Sequence, residues 1–335
     1  MARPRHEEGT MWWRELGKRV AVLALTVAVV LAVAGAGPML LGGEESDRTL
    51  DNPEYDPGAV VPDTLNATGT VETAPEAGAT DGGTVVIDRG HGNRFARSDI
   101  EPLVDALVRQ GYTVEFYTEG DLAASLADAD AFLVIDPGAE YPPGDVDDVR
   151  QFTGNGGRLV MVGEPDRTAI NTGLLGTSLQ TRQSRLTTLA SRYGMSVDTQ
   201  YLYNQKHADG TFKHILARPT GNGELDGVET AAMYTAAAVT ARGGTVVMRS
   251  APNTFKSGSD DTTGEYAVAV RKNNVLLLGD KTFMGSSRFN VADNEQFVAY
   301  IVEFMIKGDH EAPSDGESAS ESAAAESAAT PTSAG

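Results

Sequence analysis

The chain has 335 residues, a formal net charge of -20 and no cysteine. That composition excludes disulfides, thiolate nucleophiles and cysteine-ligated metals. An acidic chain also lacks the basic face that phosphate binding needs, so nucleic acid is not an expected partner. Lysine is scarce beside arginine, while Asp, Ala, Thr, Val and Gly abound. Such a surface keeps its hydration in concentrated salt, where charge repulsion is screened over short distances. This points to an extreme halophile, the alternative being an ordinary acidic domain with an acidic tail.

Residues 1–19 carry Arg3, Arg5, Arg14, Lys18 and Arg19, with Trp12 and Trp13 placed as an interfacial belt. Residues 20–41 are uncharged and apolar, long enough for a helix across a bilayer core. The positive-inside rule then predicts a single-pass anchor with a cytoplasmic N-terminus and the remainder outside. A cleaved signal peptide is the alternative, since Ala32-Val33-Ala34 resembles a cleavage site. Residues 42–83 read as a flexible acidic linker rich in Pro, Gly and Thr, with a glycosylation sequon at Asn66. Residues 308–335, mostly Ser, Ala and Glu, read as a disordered acidic tail.

Between them, residues 84–307 have the length for one core. A β-branched run at Thr84–Asp88 predicts a strand. Ser98-x-x-Glu101 reads as a capping box, and Ile100, Leu103, Val104 and Leu107 give the following helix its apolar face up to Gly111. Strands are predicted at Thr113–Tyr117, Ala131–Ile135 and Arg158–Val162, with a short helix at Leu122–Leu126 and another marked by Val146, Val149 and Phe152. Leu186, Leu189, Ala190 and Tyr193 mark one more helix. Strands at Thr245–Arg249, Tyr266–Val270 and Val275–Leu278 follow, the last two joined by a hairpin turn at Arg271–Asn274. A final helix carries Phe297, Ile301, Phe304 and Met305. Strands alternating with amphipathic helices imply a parallel sheet covered on both faces.

The phrases LVRQGYTV, FLVIDPG and NGGRLVMVGE, with LLLGDKTFMGSSRFNVADNEQFVAYIVEFM near the end, resemble the DUF4350 family over about residues 84–307. The resemblance implies a glutamine amidotransferase-like, flavodoxin-like α/β fold: a doubly wound, mostly parallel sheet, here behind an N-terminal transmembrane helix. It implies no reaction. A glutaminase of that class needs a cysteine after a strand, and the corresponding turn here is Gly163-Glu164-Pro165-Asp166, so thioester chemistry is excluded.

In open α/β sheets, ligands bind beyond the C-terminal strand ends. The loop after the first strand, Asp88-Arg89-Gly90-His91-Gly92-Asn93-Arg94, offers a base, two cations and flexible backbone. Asp136, Glu164 and Asp280 follow three other strands, and these ten residues form the candidate ligand site. Asp88–Arg94 is expected beside Asp136 and Glu164, with His91 and Arg94 partly exposed and favouring an anion or a polar carbonyl group. One alternative for the loop is a polar turn. Asp88, His91, Asp136, Glu164 and Asp166 also suggest a divalent-cation site, and with it a metal-assisted hydrolase. His207 and His214 match no zinc spacing and read as surface residues. No serine elbow is present. The favoured reading is a non-catalytic, outward-facing binding domain with no cofactor, whose partners are lipid through the anchor and other membrane proteins. The salt argument gives the first test: residues 84–307 should lose structure at low ionic strength. A melting temperature indifferent to salt would contradict it.

Overall fold

The computed structural model describes residues 69–73, 82–173, 176–221, 225, 227–258 and 263–307, without the side chains of 169–180. These all lie in the second of two units into which the chain divides, Pro62–Gly335. The expected anchor, the sequon and the acidic tail lie outside the described residues, as does most of the expected linker. Among the described residues, no helix is long and apolar enough to cross a membrane.

The first half alternates β1 (Thr84–Asp88), α1 (Glu101–Arg109), β2 (Thr113–Tyr117), α2 (Leu122–Leu126), β3 (Ala131–Ile135), α3 (Pro143–Gly154) and β4 (Arg158–Val162). A hairpin of β5 (Arg167–Gly173) and β6 (Gly176–Arg182) follows, then α4 (Thr187–Arg192), β7 (Met195–Tyr203), β8 (His214–Pro219), β9 (Ala231–Tyr234) and β10 (Ala237–Ala241). The chain ends with β11 (Thr245–Ser250), β12 (Thr254–Lys256), β13 (Thr263–Gly264), β14 (Ala267–Lys272), β15 (Val275–Leu278) and α5 (Asn294–Ile306).

Nine strands form one mixed sheet in the order β2-β1-β3-β4-β15-β14-β11-β8-β9. The first five strands in that order are mutually parallel, and the pairings from β15 to β9 are antiparallel. The parallel part has the 2-1-3-4-5 order of flavodoxin-like sheets, with its topological switch between β1 and β3. Its inner strands are almost wholly apolar (AFLVI, LVMV after Arg158, VLLL) because each is covered on both faces. Alternate residues separate cleanly. Ile87, Leu133 and Val160 join α1 and α5 in one core, whereas Val86, Phe132 and Leu159 join α2, α3 and α4 in the other.

Several expectations are corrected. Ser98 does not cap α1: a 3-10 turn, Arg97–Asp99, precedes it, and Asp99 rather than Glu101 reaches back, accepting from the Ala96 N–H at 3.0 Å. Pro102 sits in the first turn of α1, where its missing N–H does no harm. The sheet is only half parallel. Strands β5 to β10, β12 and β13 have no counterpart in the sequence reading. β9 (AAMY) and β10 (AAVTA) are alanine-rich and largely buried, so they carry only a weak β-branched signal. His214 is half-buried against the Tyr234 ring, 4.5 Å between centroids, rather than a surface residue.

One edge of the large sheet is sealed by a side chain. Asn294, fully buried, accepts from the Ala232 N–H at 2.8 Å and donates to the Ala232 carbonyl at 3.1 Å and the Arg288 carbonyl at 2.9 Å. Asn294 therefore occupies the place of a further strand on β9. Replacing Asn294 with Ala should cost about 1–3 kcal/mol, since buried backbone groups lose their partners. Chemical denaturation checks this, and a variant as stable as the parent would contradict it.

Candidate functional site

The parallel strands β1, β3, β4 and β15 each lead at their C-terminal end into a carboxylate: Asp88, Asp136, Glu164 and Asp280. All four are buried, Asp88 and Asp280 completely. A carboxylate taken out of water is costly unless hydrogen bonds and counter-charges replace the solvent. The geometry around each one shows how this chain supplies them.

Asp88 is held by its own loop and by a tyrosine. The Gly90 N–H donates to Oδ1 at 3.0 Å, His91 Nδ1 lies 3.0 Å from both carboxylate oxygens, and the Tyr141 hydroxyl donates to Oδ2. The other ring nitrogen of His91, Nε2, lies 3.0 Å from Asp145 Oδ2 in the first turn of α3. The imidazole stacks on Tyr141 with 3.6 Å between centroids. With carboxylates at both nitrogens, the ring satisfies its neighbours only as an imidazolium that donates twice. Burial pulls the His91 pKa down, but the hydrogen bonds and charges of Asp88 and then Asp145 outweigh it, so the value is raised above 6.5. Tyr141, pushed well above the usual tyrosine range by burial and by Asp88, keeps its proton and donates it.

Asp136 adopts a positive φ of 40°, a conformation uncommon for a side chain other than glycine. Arg94 fixes it with a fork, Nε to Oδ2 at 3.1 Å and Nη2 to Oδ1 at 2.6 Å, while Nη2 also reaches the Gln183 carbonyl at 2.7 Å. Asn93 donates to the Ile135 carbonyl at 3.1 Å and accepts from the His91 N–H at 3.2 Å. Gly92 has φ of 64°, whereas Gly90 is required by space: a Cβ there would stand 2.6 Å from the Tyr117 ring. Arg167 donates to Glu164 Oε2, and the Lys281 N–H donates to Oε1 at 2.9 Å. Burial, followed by the neighbouring charge of Asp280, pushes Glu164 up to about 8. The half-exposed Arg167 is too well solvated to reverse that. Asp280 accepts from the N–H groups of Tyr234 (2.7 Å) and Thr282 (2.8 Å), yet burial still raises it.

The loop Asp88–Arg94 therefore lies at the C-terminal edge of β1, with Arg94 on Asp136. Glu164 is joined to it indirectly, through Lys281, whose ammonium reaches the Arg94 carbonyl. Two expectations change. His91 is 6% exposed and so is not an accessible group. Arg89 turns away from the crevice and lies over the rings of Phe95 (4.6 Å) and Phe116 (5.4 Å). Asp166 is also outside the cluster, accepting from Gln183 Nε2 at 2.8 Å. Among the described residues, no three His, Asp or Glu side chains form a metal-binding group. Tyr141, Asp145 and Arg167 complete the network without a signal in the sequence reading, whereas Lys281 adjoins the candidate Asp280. The i, i+3 spacing of Glu164 and Arg167 is the one local signal that could mark such a partner.

A mixed α/β domain with flavodoxin-like strand order and self-neutralised strand ends is the class these features define. The chain belongs to the DUF4350 family, a domain of unknown function, whose family profile matches residues 100–302. No curated protein matches it. Among solved structures, the mmIFT52 N-terminal domain is similar at 12% identity and a TM-score of 0.53, over 68% of this chain and 99% of that one. Alpha-L-fucosidase isoenzyme 2 from Paenibacillus thiaminolyticus matches at 11% identity and a TM-score of 0.39, over 68% of this chain and 33% of that one. A thua-like protein from Parabacteroides merdae ATCC 43184 matches at 10% identity and 0.39, over 70% and 94%. At these identities the likeness to the mmIFT52 domain is one of fold alone.

The clamp has a pH signature. The folded pKa of His91 lies above the unfolded 6.5, so its stabilisation is complete below pH 6.5 and is lost as pH rises through the folded value. Glu164, moving from 4.5 to about 8, acts in the same direction over its own window. The melting temperature should fall as pH is raised from 6 to 9 at constant salt. His91→Ala should cost about 3–5 kcal/mol at pH 6, because it leaves buried Asp88 without its cation, and should flatten the slope above pH 6.5. An unchanged slope in that variant would contradict the clamp.

Proposed function

We propose that this protein is a membrane-anchored, outward-facing, non-catalytic domain of the glutamine amidotransferase-like kind, which binds a ligand or protein partner in concentrated salt. One observation carries the reading: the strand-end crevice, where such folds do chemistry, is occupied by the chain's own ion pairs. His91 has a carboxylate at each nitrogen and so has no free lone pair to act as a base. Arg94 is committed to Asp136 and a backbone carbonyl. The absence of cysteine from the whole sequence removes the nucleophile of the related glutaminases.

Recognition on this reading falls to the outer surface. Val108, Phe116 and Phe212 are large apolar side chains left exposed, at 57%, 46% and 49%. Phe212 belongs to an aromatic group with Tyr203 and Phe255, and the Lys213 ammonium stands 5.0 Å from the Tyr201 ring. Apolar groups rimmed by charge are a common form of interaction surface.

The test uses intact cells in growth-level salt. Added protease should cut within residues 42–83 and release the C-terminal domain. A photo-crosslinker at position 116 or 212 should give a discrete adduct that a crosslinker at an exposed polar position, such as Glu119, does not. A protected domain contradicts the orientation. A domain that is released yet gives no adduct from either aromatic position contradicts the binding role.

A further inference from the structure

Beside the edge strand β2, and outside the strand-end crevice, lies a cavity of about 470 Å3. That volume is within the range of small-molecule sites, about 300–1,000 Å3. Ile100 and Val104 of the helical segment and Phe116 of β2 give it its apolar lining. Four charged side chains complete the lining: Arg89, Arg97, Glu101 and Asp105.

The charges are balanced, yet none of the four pairs with another among the described residues. The ion pairs of this domain lie elsewhere, on Asp136, Glu164, Asp198 and other acids. Arg89 is instead held between two rings, Phe95 and Phe116, which orient its guanidinium without neutralising it. Among the described residues, Glu101 accepts a serine hydroxyl, from Ser286 at 2.9 Å, and no cation. Among the described residues neither Arg89 nor Arg97 forms an ion pair with a carboxylate, so both guanidinium groups beside the apolar lining are positioned for an external anion. Glu101 and Asp105, one helical turn apart on α1, oppose a second negative charge and favour a cation.

We infer that this cavity binds a small zwitterion with an apolar body, an apolar α-amino acid or a short peptide with free ends. The carboxylate sits at Arg89 and Arg97, the ammonium faces Glu101 and Asp105, and the apolar side chain lies on Phe116, Ile100 and Val104. Polyphosphates and dicarboxylates are disfavoured by the two acids, and neutral apolar molecules leave all four charges unmatched. This deepens the proposed binding role by naming a site and a ligand class, and it rests on that reading only for the absence of turnover.

The full-length protein in lipid nanodiscs is titrated calorimetrically with L-phenylalanine and with the dipeptide leucyl-phenylalanine. Each is compared with its C-terminal amide and its N-acetyl derivative. We expect saturable binding of at least one free form, weakened at least about tenfold by blocking either end. The double variant Arg89→Gln, Arg97→Gln should lose at least about tenfold for the free form while leaving the amide unchanged. Phe116→Ser should weaken every form. Melting curves establish that both variants fold. Undiminished binding in the double variant, equal binding of the blocked forms, or no saturable binding of any probe would overturn the inference. Cleavage of the dipeptide by a route abolished in the double variant would contradict the non-catalytic reading while supporting the site.

Discussion

Burying carboxylates at the ends of parallel strands is the constraint around which this domain is organised. Asp88, Asp136, Glu164 and Asp280 lose their water, and isolated charges in such surroundings cost far more than one domain's net stability allows. Each loop at this edge takes the path that brings a donor to one of them. The loop after β1 turns through Gly90 and Gly92 so that His91 comes back over Asp88 and Arg94 extends to Asp136. The same imidazolium reaches Asp145 and so ties the start of α3 to β1. Arg167 starts the β5–β6 hairpin from Glu164, and Asp280 receives the last N–H of β9.

Much of the parallel half was legible in the sequence, and the reason is physical. Strands covered on both faces must be short and largely apolar, and β1, β3, β4 and β15 have the boundaries that their hydrophobic runs and flanking turn residues imply. The antiparallel half was mostly illegible. Ala231–Tyr234 and Ala237–Ala241 carry little β propensity, and their strand character comes from tertiary contacts such as Asn294 on Ala232. The candidate acids were found because turn position after a strand can be read locally. Their partners Tyr141 and Asp145 lie 53 and 54 residues from the groups they contact, and nothing local marks them. Arg89 shows the converse. Its place in a charged loop suggested the crevice, but stacking on Phe95 and Phe116 takes it to the other side of the β1 end.

The strand-end network also bears on how such a fold is used. In flavodoxin-like sheets the switch point between the first and third strands opens a crevice for ligand. Here the switch-point residues bond to one another, and on the proposed reading the fold keeps the architecture of a site while those polar groups serve stability. On the proposed reading, recognition then depends on what the network leaves unmatched: the open edge of β2 with its unpaired arginines, and the aromatic surface of β7 and β12. Neither requires the crevice to open. An internally neutralised edge also suits a strongly acidic chain, because its cations are scarce and the buried acids have the first use of them.

The double-donor state of His91 is the point on which this account turns, and nitrogen-15 magnetic resonance of the labelled imidazole observes it directly. Both ring nitrogens should remain protonated at pH values above the ordinary histidine pKa of 6.5, with Nδ1 and Nε2 coupled to Asp88 and Asp145. Loss of a ring proton at or below pH 6.5 in the folded protein would contradict the imidazolium clamp, and with it the claim that the strand-end crevice is closed by the chain's own charges.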